Sequence, residues 1–152
     1  EYDANITVDR GGYALAMGGV SATTRDQLRF GQLILNRGEI GGVQIAPRKF
    51  FDDVINHPHD PNWPYHHATG RAPYYRSLFW GVGDGMGSFE AIGINGQIIR
   101  ANPTANMVIV INSTWPREDG QTITDGWNDG WEMADYLFSA IEERFQEYEV
   151  TY

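Results

Sequence analysis

Apolar residues recur with helical spacing in the first quarter of the chain. Within residues 13–37, "YALAMGGVSATTRDQLRFGQLILNR", either Ser21 or Thr23 can cap a helix, and Asp26 follows Thr23 at the spacing of a capping box. Gly38 then ends the predicted helix. The predicted apolar face of this helix consists of Leu28, Leu33, Ile34 and Leu35.

Two more helices are predicted further along the chain. After the glycine turn in "GEIGG", Pro47 is expected in the first turn of a short helix. The buried stripe of that helix is predicted to be Phe50, Phe51, Val54 and Ile55. A last helix over residues 125–147 has the clearest pattern, with Asp125 as its cap and acidic residues crowding its polar side. Its apolar stripe is Trp127, Trp131, Ala134, Phe138, Ile141 and Phe145.

Three segments between these helices have the pattern of strands. They read "SLFWGVG", "AIGINGQIIRA" and "NMVIVINST", and they predict three antiparallel strands, the last two joined by the turn "NPTAN". Residues 107–111 are apolar throughout, so this strand is expected to be covered on both faces. The predicted order is two helices, a long loop, three antiparallel strands and a helix, so the predicted fold class is α+β, an antiparallel sheet flanked by helices.

Composition excludes several classes of function. The 152 residues are enough for one domain with a hydrophobic core. The formal charge of −9 argues against nucleic acid or an anionic membrane as partner, because both attract clustered Lys and Arg. No cysteine is present, so the chain has no disulfide, no thiolate nucleophile and no cysteine metal site.

The sequence also bears on where the protein works and on where it begins. No apolar run approaches the length of a membrane span, and "EYDANITVDRGG" has no signal-peptide pattern. We therefore expect a soluble protein, in a compartment that the sequence leaves open. Because these first residues predict no helix or strand, residues 1–152 are expected to be the later part of something larger.

Histidines and paired acidic residues are the first candidates for chemistry. All four histidines lie in the proline-rich stretch 56–75, which is typical of a long loop, whereas zinc ligands are usually held on rigid elements. We expect a solvated or substrate-edge loop there, with its role left open, and no metal site. Two adjacent acidic pairs, Asp52–Asp53 and Glu142–Glu143, are interpreted as solvated helix faces, because glycoside hydrolysis needs carboxylates facing across a cleft.

A serine nucleophile is not recognisable in the chain. There is no Gly-x-Ser-x-Gly motif, and a Ser-x-x-Lys pair ending at the single lysine, Lys49, would need serine where Ala46 stands. The glycines at 81, 83, 85 and 87 match neither of the phosphate-binding glycine motifs. From the residues alone, the glycine-rich stretch 79–97 has two interpretations. It is either a bare strand edge that offers a backbone N–H to a reacting carbonyl, or a twisted edge strand without a ligand.

Two long segments of the chain resemble a known family. "GGVSATTRDQLRFGQLILNRG" and "FWGVGDGMGSFEAIGINGQIIRANPTANMVIVINSTWP" are similar to the C-terminal half of the serine β-lactamase-like hydrolases, which include the DD-peptidases and class C β-lactamases. Within this superfamily the resemblance is greatest to the nylon-oligomer (6-aminohexanoate-dimer) hydrolases. The motifs that carry it follow in the same order at residues 3–9, 18–29, 79–80, 92–97 and 113–119.

The resemblance implies a β-lactamase/transpeptidase-like fold of which this chain is the C-terminal segment. The N-terminal half, with the nucleophilic serine of Ser-x-x-Lys and the tyrosine of Tyr-x-Asn, would be absent. No cofactor is implied. The substrate would be a small amide or ester, and the partner would be the N-terminal half or a second copy of the chain.

The resemblance also assigns site residues. The backbone N–H of Ile94 would be one oxyanion donor, with Gly93 and Gly96 keeping its strand edge open. Trp80 would be an aromatic wall over the substrate, Asp119 would lie at the rim of the cleft, and Asn95 stands where the family has a histidine. Two other hypotheses stay open. The chain can be a catalytically silent domain that binds an acyl or peptide ligand, or a structural half that works only when paired.

Overall fold

The computed structural model of the chain describes residues 3–15, 18–56, 74–114 and 135–144. Two small hairpins precede the main sheet. In one, β1 (Asn5–Ile6) pairs with β2 (Val20–Ser21), and in the other β3 (Glu39–Ile40) pairs with β4 (Val43–Gln44), both antiparallel. Gly41 and Gly42 connect β3 to β4, and both have positive φ, as the predicted glycine turn requires.

Helix α1 spans Thr24–Leu35, and its cap was partly predictable. Thr23 is the N-cap: its Oγ1 accepts a hydrogen bond from the Asp26 N–H at 3.2 Å and donates one to the Asp26 carboxylate at 2.6 Å. Ser21, the other candidate, lies in β2 instead. Gly38 follows the end of the helix with φ +84°, and its N–H donates to the Leu33 carbonyl, which confirms its role as the stop.

The buried face of α1 differs from the prediction. Ile34 is buried as predicted and Leu35 packs against the core, but Leu28 is exposed, and Gly31, which was not on the predicted face, is buried. The physical reason is a close approach to the sheet. A Cβ on Gly31 would collide with the side chain of Val108, so the helix contacts the sheet through a residue without a side chain.

Helix α2 spans Arg48–Ile55 and begins one residue later than predicted. Pro47 is its N-cap rather than part of its first turn. Phe51 and Val54 are buried as predicted, but Phe50 is 42% exposed. Phe51 and Val54 join Ile34, Phe79, Phe89 and Ala101 in the larger hydrophobic cluster of the described residues.

The main sheet has five antiparallel strands instead of the three predicted. Each strand pairs with the next in sequence, in the order β5–β6–β7–β8–β9. The strands are β5 (Tyr75–Arg76), β6 (Phe79–Gly81), β7 (Phe89–Gly93), β8 (Gln97–Asn102) and β9 (Met107–Ile111). The segment "AIGINGQIIRA", predicted as one strand, is the hairpin of β7 and β8, which reverses at a short 3₁₀ turn, Ile94–Gly96. The predicted turn "NPTAN" does connect β8 to β9.

Both faces of this sheet are covered, as the apolar strand β9 predicted. Helix α1 lies against β8 and β9 on one face. On the other face, the helical residues 135–144 place the fully buried Phe138 in a second cluster with Ile98, Ile109 and Ile111. The chain is therefore α+β, with an antiparallel sheet between helices.

The polar side of the helix at 135–144 was wrongly predicted. Glu142 is buried against the sheet, where it pairs with Arg100, so it does not belong to a solvated face. Asp52 and Asp53 also form ion pairs, with Arg37 and Arg76 respectively. Ile141 is 38% exposed, and the other residues of the predicted stripe apart from Phe138 lie outside the described residues.

Candidate active site

The tip of the β7–β8 hairpin is the most distinctive backbone feature of the described residues. Asn95 and Gly96 both have left-handed φ values, 59° and 79°, which let the chain reverse within three residues. Gly93 lies opposite Gln97 and closes the ladder. Ile94 follows Gly93 at the tip and is 66% exposed, whereas Gly96 is buried.

The side chains of Ser113 and Gln97 both donate hydrogen bonds to carbonyls of this tip. The Ser113 hydroxyl lies 2.7 Å from the Gly96 carbonyl oxygen and 3.0 Å from that of Asn95. The Gln97 amide nitrogen lies 3.4 Å from the Asn95 carbonyl oxygen and also donates to the Ser113 carbonyl. We name this arrangement, formed by Ser113 and Gln97 around the two tip carbonyls, the carbonyl clamp.

A cavity of about 170 Å³ lies beside the same hairpin. Gly93, Gln97, Gln27 from α1 and Asn112 after β9 are among the residues that line it. The Gln27 Oε1 atom is buried and accepts no hydrogen bond from the described residues. The Asn112 amide donates to Thr24 Oγ1 at 2.7 Å, which ties the end of β9 to the start of α1.

Trp80 lies further along the sheet, on the face that the helix at 135–144 covers. The register places it between Tyr75 and Glu90, with Arg100 and Ile109 continuing the same row across the strands. Its ring packs on that of Tyr75, with centroids 4.5 Å apart. Because Glu90, its partner on β7, precedes Ile94 by four residues, Trp80 and the hairpin tip are separated by about 13 Å along the strand.

The remaining glycines of the 79–97 stretch have local causes. A Cβ on Gly81 would collide with the ring of Tyr74, which is buried and whose hydroxyl donates to the Val54 carbonyl. The glycines at 83, 85 and 87 all have φ between 76° and 79°, so they form the connection from β6 to β7. These positions need glycine for turns and close packing.

That connection wraps around the carboxylate of Asp84. Burial acts to raise its pKa, but hydrogen bonds from Ser88 and from the Met86 N–H, together with the Arg100 charge, outweigh it, so the pKa lies below its usual value. Arg100 lies 3.3 Å from Asp84, 3.5 Å from Glu142 and 3.7 Å from Asp135. These buried charges face one another across the sheet and the helix, so they have the character of a structural network.

The part of the chain that the structure describes offers neither a cluster of metal ligands nor a membrane-spanning helix. That part of the chain contains no group of three His, Asp or Glu side chains that could hold a metal ion. The four histidines lie outside the described residues, so the expectation for their loop stays a prediction. Of the helices the structure describes, none is long and apolar enough to cross a bilayer.

Comparison with known proteins gives two informative matches. The chain is 34% identical over 119 residues to the 6-aminohexanoate-dimer hydrolase of Paenarthrobacter ureafaciens, which covers 77% of this chain. A solved structure from Bacillus anthracis, provisionally described as a 6-aminohexanoate-dimer hydrolase, matches 95% of this chain with a TM-score of 0.74 and 28% identity. This chain belongs to the β-lactamase-like hydrolases.

The β-lactamase-like hydrolases it matches are much longer than this chain. It spans 30% of the length of the P. ureafaciens enzyme and 34% of the B. anthracis protein. No protein-family model matches the sequence. The family resemblance read from the sequence motifs is thus confirmed, and the chain corresponds to about a third of such a hydrolase.

The structure brings some of the predicted site residues of this β-lactamase-like hydrolase together and separates others. Gly93, Ile94 and Asn95 are consecutive at the hairpin tip, Trp80 lies at a distance from them, and Asp119 is outside the described residues. The prediction that Gly93 and Gly96 keep a strand edge open stays a prediction, since β6 pairs with β7 only at Phe89 and Glu90. Gly93 is paired to Gln97 in the ladder, and Gly96 is a buried turn residue with positive φ.

The carbonyl clamp was not predicted. Its position was partly readable, because Asn-Gly between two apolar runs is a strong hairpin signal, and "INGQII" contains it. Ser113 carries no such signal, since its contact with the tip is made across 17 residues of sequence by a side chain that leaves the end of β9.

Proposed function

We propose that the chain is the C-terminal portion of a serine hydrolase that cleaves amide or ester bonds through an acyl-enzyme. The N-terminal portion would supply the nucleophilic serine with its lysine and tyrosine. This portion would supply the Ile94 N–H to the oxyanion hole, with Trp80, Asn95 and Asp119 contacting the substrate. Membership of the β-lactamase-like hydrolases supports this proposal, as does the share of its relatives that the chain spans.

One observation carries the proposal, the exposed and rigidly held hairpin tip. A backbone donor stabilises a developing oxyanion only if it is reachable and already oriented before the reaction. Ile94 is 66% exposed, the residue before it has no side chain, and the carbonyls of the next two residues are hydrogen-bonded. These observations support the proposal that the Ile94 N–H is both reachable and oriented in advance.

The proposed reaction proceeds in two steps. The serine oxygen forms a bond to the substrate carbonyl carbon, and the electron pair of the C=O bond moves to oxygen, where the Ile94 N–H stabilises the charge. The bond to the leaving amine or alcohol then breaks, and the leaving group takes up a proton, which gives the acyl-serine. In the second step, water adds to the carbonyl carbon of the acyl-serine, and the bond to the serine oxygen breaks, which releases the acid and the free serine. The lysine and tyrosine would move the protons in both steps.

The position of Trp80 sets a length for the substrate. If the Ile94 N–H holds the scissile carbonyl, a substrate that also touches the aromatic pair of Trp80 and Tyr75 must extend about 13 Å along β7. This favours an extended acyl or peptide-like chain over a compact ring. Short acetyl esters would react without using this aromatic pair.

The test uses the native protein that carries this chain. Intact mass under denaturing conditions shows whether the native material contains a longer or a second polypeptide, and peptide sequencing then shows whether it carries a Ser-x-x-Lys segment. If the Ser-x-x-Lys segment is present, a p-nitrophenyl ester should give a burst of nitrophenol and a covalent acyl adduct on its serine. The 17.1 kDa chain by itself is the control and should give neither.

Two outcomes would contradict the proposal. Turnover without a burst or an adduct would exclude the acyl-serine. A single 17.1 kDa species in the native material, with ligand binding but no turnover, would instead support a silent domain that binds an acyl or peptide ligand.

A further inference from the structure

We propose that Ser113 and Gln97 are positioning residues that orient the Ile94 N–H through the carbonyl clamp. This inference rests on the proposed function, because it concerns the same oxyanion donor. Neither side chain would touch the substrate. They would act through the turn Ile94–Gly96, by restricting it to one of the conformations that a three-residue loop can adopt.

The clamp lies where the regular pairing of the sheet ends. The ladder between β8 and β9 stops at the pair Ile98–Ile111, and Ser113 is two residues beyond it. From there its hydroxyl reaches the Gly96 and Asn95 carbonyls at 2.7 and 3.0 Å. Side-chain hydrogen bonds thus continue the connection between the two strands beyond the ladder, out to the tip.

The tip is a short turn whose first two side chains contribute little to holding it. Asn95 occupies the left-handed region, which asparagine adopts more readily than most residues, so the Asn-Gly pair allows the turn without fixing it to the rest of the sheet. Ile94 is largely exposed and so contributes little packing. Gln97 completes the clamp, because its amide donates both to the Asn95 carbonyl and to the Ser113 carbonyl.

A matched control lies at the opposite end of the same sheet. The Thr104 hydroxyl donates to the Met86 carbonyl at 2.7 Å, the same distance as from Ser113 to Gly96, in the turn that joins β8 to β9. Thr104→Val and Ser113→Ala each remove one hydroxyl that donates to a carbonyl. Only Ser113 lies beside Ile94. A difference in kcat between the two variants is therefore due to the location of the lost hydrogen bond and not to a general loss of stability.

The experiment measures kcat and KM for p-nitrophenyl esters in the complete protein, together with Tm. We expect Ser113→Ala to lower kcat roughly tenfold, the effect of losing one hydrogen bond, with KM nearly unchanged. Ser113→Thr, which keeps the hydroxyl, should restore most of kcat. Thr104→Val should leave kcat within about twofold of the wild type. Its shift in Tm should be similar to that of Ser113→Ala.

Gln97→Glu provides an independent variant. It preserves the shape of the side chain but turns an oxygen toward the carbonyls that the amide nitrogen now contacts, so we expect it to lower kcat at least as much as Ser113→Ala. This variant also covers the case in which the Ser113 variants do not fold.

The outcomes separate this inference from the proposed function. Equal kcat in Ser113→Ala and Thr104→Val, or a change confined to KM, would overturn the positioning role while the serine hydrolase stands. A wild-type protein that hydrolyses neither esters nor amides would overturn both. A selective loss of kcat with rescue by Ser113→Thr supports both.

Discussion

Single residues at the hairpin tip act here through the backbone more than through their side chains. Gly93 has an ordinary φ of −118°, so its backbone would accept other residues. Its constraint is space, because a Cβ would lie 3.1 Å from the Gln97 Cβ. The side chain of Ile94, by contrast, is exposed and is not confined by neighbours among the described residues.

This contrast gives a prediction at the residue scale. Gly93→Val should lower kcat tenfold or more, because the new side chain pushes on Gln97 and moves the proposed oxyanion donor, whose loss costs 10²–10³ in kcat as an order of magnitude. Ile94→Val keeps the backbone donor and should change kcat by less than about threefold. Steady-state kinetics of the two variants in the complete protein check this, and equal effects would contradict the assignment.

At the scale of elements, the sequence was most informative where the signal is local. The Gly38 stop and the turn between β8 and β9 depend on residues within a few positions, and both were predicted, while Thr23 was one of two candidates for the cap. The β7–β8 hairpin was missed because apolar residues on both sides of "ING" were taken as one strand. The buried face of α1 could not be predicted, since it depends on Val108 in a distant strand.

The contact between α1 and the sheet gives a prediction at this scale. Alanine favours a helix over glycine by about 1 kcal/mol, so Gly31→Ala would stabilise an isolated α1. In the folded protein we expect it to lower the free energy of unfolding by about 1–3 kcal/mol, because the new methyl group overlaps Val108. Urea denaturation measures this.

The matched control combines the change with a smaller partner. In a Val108→Ala background, Gly31→Ala should cost much less or become stabilising, since the space is then available. A cost that is the same in both backgrounds would show that the collision with Val108 is not its cause.

For the whole molecule, Arg100 is the link between the sheet and the helix at 135–144. It is 4% exposed, contacts Asp84 from the β6–β7 connection and Glu142 from the helix, and lies over the Phe138 ring at 4.8 Å. The sequence could not reveal this link, because Arg100 alternates with apolar residues in a strand and its partner Glu142 follows 42 residues later.

The corresponding prediction compares two arginines. Arg100→Met should lower the free energy of unfolding by about 3–5 kcal/mol, because Asp84 and Glu142 are left buried without their counter-charge. Arg76→Met removes an exposed pair with Asp53 and should cost less than about 1 kcal/mol. Urea denaturation of both variants checks this, and equal costs would show that the Arg100 network contributes no more than a surface pair.

The order of the strands has a consequence for how the chain folds. Because each of the five strands pairs with its neighbour in sequence, every step of sheet formation closes a short loop, and such local closure is fast. The Arg100–Glu142 contact instead closes a loop of 42 residues and depends on a sheet that already exists. The sheet should therefore protect its amides from hydrogen exchange earlier in refolding than residues 135–144 do. Until that helix docks, the apolar surface of Ile98, Ile109 and Ile111 would stay exposed and could associate with other chains.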